Sequence, residues 1–202
     1  MKKKSRRNIT KHLDSIYLRW YSSELDGYLP ESEVRFLLKQ LRSKDSLWKS
    51  SAAAVLGSQI YSREIEDALY LATFDKDMLV RAEAADSLRI GRQERTLNRL
   101  KELSVEPDFF VRTYAVMSYF SVFTELRGYT KGTMREYLKE TGEPYRREAN
   151  EEVQIMYMAC RYLAGLEEEL NRLMDKLEKN IKDCDRNYWV IVGGTEADSA
   201  SG

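Results

Sequence analysis

Asp77-Met-Leu-Val-Arg-Ala-Glu-Ala-Ala-Asp-Ser-Leu88 is the stretch from which the fold is read. It sets Val80, Ala84 and Leu88 four residues apart. Side chains at i, i+4 and i+8 nearly stack at 3.6 residues per turn, so these three make one apolar helix face. The alanines allow a neighbouring helix to approach closely. Asp77 suits an N-cap, where its carboxylate accepts a free backbone N–H, worth about 1 kcal/mol.

The same pattern recurs on both sides. Asp45-Ser-Leu-Trp-Lys-Ser-Ser-Ala-Ala-Ala-Val-Leu56 precedes it by 32 residues, and Asp108-Phe-Phe-Val-Arg-Thr-Tyr-Ala-Val-Met-Ser-Tyr119 follows by 31. Each block has Asp first, a large apolar residue at +3, Lys or Arg at +4, Ala at +7 and a large residue at +11. A fainter fourth block places Glu152, Ile155, Met156, Ala159, Cys160 and Leu163 at the same offsets, with Met156 where the base should be. Basic residues at +4 are positioned to meet an aspartate, locally or in the next repeat. Asp45, Lys49, Asp77, Arg81, Asp108 and Arg112 are therefore expected to form a ladder of charge-assisted hydrogen bonds.

Second helices fill the gaps. Ile65, Leu69 and Ala72 give one stripe, and Leu97, Leu100 and Leu103 another. Val34, Leu37, Leu38 and Leu41 follow Pro30, a good helix-start residue. Met134, Tyr137 and Leu138 make a weaker helix before a turn expected at Thr141-Gly142-Glu143-Pro144. Each unit is thus a helical hairpin too small to bury its apolar face alone, so hairpins must stack. Ile9, Leu13, Ile16, Tyr17 and Trp20 suggest an N-terminal capping helix. Leu166, Leu170, Leu173, Leu177 and Ile181 suggest a C-terminal one. The expected organisation is a basic N-terminus and capping helix over 1–30, repeats over 31–165, a capping helix and docking segment over 166–192, and a disordered tail over 193–202. Whether Asn187 to Val192 docks back or forms a strand-like tail is open.

The bulk composition agrees with a helical array. Apolar residues make up 43% and charged ones 33%, with only three prolines and ten glycines. Thirty-three basic side chains balance 33 acidic ones, which argues against bulk coating of nucleic acid. Lys2, Lys3, Lys4, Arg6, Arg7 and Lys11 crowd the start; a solvated, frayed end is expected, with contact to phosphate or an anionic membrane as the other possibility. The start lacks the apolar stretch of a secretory signal, and no segment approaches a membrane span. Cys160 and Cys184 form no disulfide framework or CxxC pair, and His12 is the only histidine. A cytoplasmic protein is expected, with no cofactor, no metal site and no catalytic residues. Phosphate-loop, dinucleotide, zinc-peptidase and serine-hydrolase motifs are all missing from the sequence.

The Asp-x-x-Val-Arg-x-x-Ala-Ala-x-x-Leu pattern of Asp77 to Leu88, nearly repeated from Asp108, resembles the second helix of a HEAT repeat. It resembles most the short bacterial HEAT-like units, including those of the phycobilisome-lyase type. The resemblance implies an all-α, right-handed α-α superhelix, a HEAT-like solenoid of about four to five helical hairpins. It also implies that the Val-Arg helices line the concave side and that the partner is usually a protein. Ankyrin and tetratricopeptide signatures are absent from the sequence.

With +3, +7 and +11 in the core, positions +5, +6, +9 and +12 are expected to face outward. They run from small residues in the first block, through charged ones in the second, to aromatic and Met residues in the third and fourth. Asp86, Arg89, Tyr114, Met117, Phe120, Tyr157 and Arg161 are the candidate partner-binding residues, because exposed Tyr, Met and Arg are enriched at interfaces. Tyr114, Met117, Phe120, Tyr157 and Arg161 would be its centre, unless they pack between repeats. A non-catalytic protein-interaction module follows, either an adaptor or scaffold or an inhibitor, including an immunity or antitoxin protein that cups a toxin. A nucleic-acid-binding or DNA-repair protein is the second class; Trp20, Trp48 and Trp189 are present, but the inner face lacks a basic stripe. A lyase-type subunit gripping a chromophore is the third, although Cys160 reads as inert packing and nothing near Cys184 activates it.

Overall fold

The computed structural model of the chain describes residues 3–22, 28–146, 151–164 and 179. Among them the helices are α1 (Lys3–Tyr21), α2 (Glu31–Leu41), α3 (Ser46–Leu56), α4 (Arg63–Ala72), α5 (Met78–Ser87), α6 (Glu94–Leu103), α7 (Phe109–Arg127), α8 (Lys131–Arg146) and α9 (Glu151–Leu163), and a 3₁₀ turn, Leu88–Ile90, follows α5. The chain forms two compact units, residues 1–128 with α1 to α7 and residues 129–202 with α8 and α9. The expected C-terminal helix from Leu166 to Ile181, the run from Asn187 to Val192 and the tail over 193–202 lie outside the described residues, apart from Lys179.

In the first unit, helix starts follow from local chemistry. Asp45, Asp77 and Asp108 each sit in extended backbone, and their carboxylates accept from the N–H groups of Trp48, Leu79 and Val111 respectively. The apolar face then buries fully. Trp48, Ala52 and Leu56, Val80, Ala84 and Leu88, and Val111, Ala115 and Tyr119 are all core residues. Helix α2 packs on α3, α4 on α5 and α6 on α7, while α3, α5 and α7 pack side by side. This is an α-solenoid of helical hairpins.

Helices α3, α5 and α7, the inner helix of each hairpin in the sequence reading, approach one another closely through small residues. A Cβ on Gly57 would fall 2.5 Å from Ser87 Cβ, so no larger residue fits without movement. Ser87 Oγ donates to the Ala53 carbonyl at 2.8 Å, and Ser118 Oγ donates to the Asp86 carbonyl at 3.0 Å. A hydroxyl at +10 therefore reaches back one repeat at both seams. Each bond satisfies a polar group that the close approach desolvates.

The outer helices are tied differently. Glu66 on α4 is fully buried. One of its oxygens accepts from the backbone N–H groups of Arg92 and Gln93 at 3.1 Å and from Thr96 Oγ1 at 2.6 Å. A carboxylate from one hairpin thus fixes the entry to α6 in the next, taking the two amides just before the helix and the Thr96 hydroxyl in its first turn, at the end where the helix dipole favours negative charge.

The N-terminal helix is held along its length. Leu13 and Ile16 are buried. Arg19 donates to both Glu33 oxygens at 2.7 and 2.9 Å, and the His12 ring meets Phe36 edge-on at 4.5 Å. Arg6 pairs with Asp45 at 2.6 Å and its guanidinium lies 5.8 Å from the Trp48 ring. The expectation of a frayed basic end therefore needs correction from Arg6 onward, because that cation has a fixed acidic and aromatic partner. Arg7 and Lys11 remain exposed.

In the second unit α8 packs on α9, and Arg135 Nε donates to the Ala164 carbonyl at 3.0 Å. Two expectations are corrected there. The turn expected at Thr141 to Pro144 is helical, since α8 continues to Arg146. A proline in the last turn removes one backbone donor without ending the helix. The fourth block also slips by one position. Val153, Met156, Cys160 and Ala164 are buried, whereas Ile155 and Ala159 are half-buried. With no N-cap aspartate before it, the block keeps helical spacing but not the register of the other three.

Candidate partner-binding face

The face in question is the side of α3, α5 and α7 turned away from α2, α4 and α6. At 100° per residue, positions +2 and +9 point roughly opposite to the buried +3, +7 and +11, and +6 lies on the flank between them, about 100° from the centre of the buried stripe. Three rows result. The +2 row is Leu47, Leu79 and Phe110, exposed by 69%, 47% and 51%. The +6 row is Ser51, Glu83 and Tyr114, all half-buried. In the +9 row Ala54 is buried, while Asp86 and Met117 are half-buried.

The +2 row was not among the outward positions taken from the sequence, and the +5 row, expected to face outward, is divided: Ser50 is half-buried, whereas Ala82 and Thr113 are buried. Gly57 at +12 is buried too, and lies against Ser87 of α5. Tight packing through small residues turns those shoulders inward and leaves the first turn after each N-cap standing clear. A signal existed: Leu, Leu and Phe occupy the same offset in three blocks.

The predicted binding residues divide between the two units. Asp86 and Arg89 lie together and pair at 3.0 Å. Tyr114, Met117 and Phe120 are half-buried on α7. Tyr157 and Arg161 are half-buried on α9, in the second unit.

Glu83 is the notable charge on this face. Burial, and then the neighbouring Asp86 carboxylate, hold its carboxyl above the ordinary range. Arg89 is taken by Asp86, and Glu83 has no ion-pair partner among the described residues. Glu83, Asp86 and Arg89 together leave the middle of the face net negative.

Two of the +4 bases, Lys49 and Arg81, meet acids other than the N-cap aspartates expected from the sequence. Lys49 Nζ meets Asp75 Oδ2 at 2.5 Å, and Arg81 Nη2 meets Glu106 Oε2 at 3.1 Å. These acids sit two residues before the N-cap of the next repeat. Arg81 Nη1 also donates to the Asp75 and Lys76 carbonyls at 3.1 and 3.2 Å, and Arg112 Nη1 to those of Glu106 and Pro107 at 2.9 and 3.1 Å. Asp45, Asp77 and Asp108 are correspondingly occupied as caps, since an N-cap carboxylate points into its own helix. Burial opposes ionisation of Asp75, but Lys49 and the Asp77 N–H outweigh it and hold the carboxyl below its usual range.

Trp48 is buried under Arg6, and Trp20 is half-buried on α1. Trp189 and Cys184 lie outside the described residues. Cys160 is buried, which pushes its thiol up to about 12 and keeps it protonated. Among the described residues no group of three or more His, Cys, Asp or Glu is placed to hold a metal ion, and no helix is long and apolar enough to cross a membrane. An open cleft of about 650 Å³ lies elsewhere, lined by Tyr28, Leu29, Val34, Ile60, Tyr61 and Ile65 among others.

The family model for HEAT repeats matches residues 34–119, which include α3, α5, the first part of α7 and all three rows of the face. The match is to HEAT repeats in general and does not distinguish the phycobilisome-lyase type. No curated protein sequence matches the chain.

Proposed function

Through residues 34–119 the chain belongs to the HEAT-repeat family, and on that premise we propose that it is a non-catalytic protein-binding module holding its partner on the face of α3, α5 and α7. HEAT repeats are commonly protein-interaction modules. The observation that carries the proposal is the row Leu47, Leu79 and Phe110, large apolar side chains exposed at one position of three successive repeats. Scattered exposed apolar residues need no explanation, but an aligned row on adjacent helices is the kind of patch that marks an interface. Tyr114 and Met117, on the same face, add residue types common at interface centres.

The chemistry of the face weighs against a polyanion there. Glu83 and Asp86 stand in its middle, where phosphate contact would require cations. An adaptor and an inhibitor of the immunity type would use the same face and differ in what the partner does once held.

Nuclease-treated affinity capture from the source cell tests this, with wild type and a Leu47→Ser/Leu79→Ser/Phe110→Ser variant compared. These side chains are exposed, so the variant should keep its melting temperature. A protein recovered stoichiometrically by wild type and lost by the variant supports the proposal. Equal recovery by both, or a signal seen only before nuclease treatment, contradicts it.

A further inference from the structure

We infer that the occupant of this face is a basic amphipathic helix, laid across α3, α5 and α7 with its apolar stripe on Leu47, Leu79 and Phe110 and a lysine or arginine on its flank meeting Glu83. The inference rests on the proposed protein-binding face and specifies the chemistry of what fills it.

Spacing is the first argument. Packed helix axes lie about 8–10 Å apart, and the close seams at Gly57–Ser87 and Ser118–Asp86 put the inner helices in this contact range. The +2 row therefore repeats at about that interval. Seven residues of an α-helix rise about 10.5 Å. A helix crossing the three inner helices can offer an apolar residue to each +2 side chain at successive heptad positions. The Phe109 and Phe110 rings, edge-to-face at 5.7 Å, form a broad apolar end to the row.

Charge is the second argument. Glu83 follows Leu79 by four residues on α5, so it stands one turn along the same face, beside the middle of the row. It is half-buried, without an ion-pair partner among the described residues, and has Asp86 one turn further on. Its row neighbours Ser51 and Tyr114 bring no cation. A partly desolvated acid with nothing to neutralise it favours a partner that supplies the positive charge. A cation placed there also discriminates partners, since a like charge in the same position is penalised.

The probe is a fluorescein-labelled 21-residue alanine-rich helix with leucines at positions 1, 8 and 15 and two lysines flanking the central leucine. Its companion carries glutamates in place of the lysines, and anisotropy is read on the full-length chain. Wild type should bind the lysine peptide at least tenfold more tightly than the glutamate peptide. Glu83→Lys should reverse that order, and Leu79→Ser should weaken both peptides. Binding of the lysine peptide should also weaken as pH falls toward the Glu83 pKa, which lies above the ordinary carboxylate range. Equal affinity for the two peptides, or no reversal in Glu83→Lys, overturns the inference. Sedimentation covers the other occupant: a wild-type dimer that the triple serine variant dissolves would give the face to a second copy and also overturn it. If cellular capture depends on the +2 row while the peptides show no charge preference, the binding face stands and only its basic occupant falls.

Discussion

At the scale of single residues, the fold depends on positions where one atom more or less is felt. Gly57 is one, because a Cβ there meets Ser87 at 2.5 Å and the Ser87 backbone behind it. Gly57→Val should cost about 1–3 kcal/mol through overpacking, read by urea unfolding. Asp75 and Glu83 form an opposed pair. The Asp75 carboxyl is held below its usual range, so its pairing with Lys49 stabilises the fold above the unfolded carboxylate pKa of about 3.9 and is lost as pH falls through the lower folded value. Lys49→Met should therefore cost on the order of 1 kcal/mol near neutrality, with the difference from wild type closing in acid. The Glu83 carboxyl is raised, so it disfavours the fold increasingly as pH climbs past its unfolded value and through its folded one. Glu83→Gln should stabilise the protein near pH 7 and be close to neutral below about pH 4, measured as melting temperature against pH. The two variants are predicted to move stability in opposite directions.

At the scale of elements, the helices were legible because local and global signals agree. The aspartates before α3, α5 and α7 mark their starts, and the +3, +7, +11 stripe marks their buried side. What could not be read depends on which neighbour arrives. Asp75 and Glu106 look like loop acids in the sequence, yet each receives a cation from the preceding repeat. Glu66 looks like a surface residue of α4, and only the stacked hairpin turns it into the residue that fixes the entry to α6. The end of α8 and the register of α9 were misjudged in the block where the capping signal is weakest. Glu66→Ala leaves the Arg92 and Gln93 amides and the Thr96 hydroxyl unsatisfied, and should cost about 1–3 kcal/mol. Faster amide exchange in the first turn of α6 than in α5 would show that the loss begins at that junction.

At the scale of the molecule, one sequence repeat does two tasks. Positions +3, +7 and +11 make the solenoid, and the opposite side is the proposed binding face. On the first three inner helices that side runs from the apolar row at Leu47, Leu79 and Phe110 to the acidic middle at Glu83 and Asp86. Half of this was readable, since Asp86, Tyr114 and Met117 follow from the helical wheel. The +2 row was missed because residues just after an N-cap are easily assigned to the cap. The depth of each shoulder is set by how closely the helices pack, which no single helix encodes. The most direct measurement is hydrogen exchange on the full chain alone and with the protein it captures. Slowed exchange in α3, α5 and α7, with α2, α4 and α6 unchanged, is the predicted result. Protection confined to the outer helices or to α1 would contradict the assignment of this face.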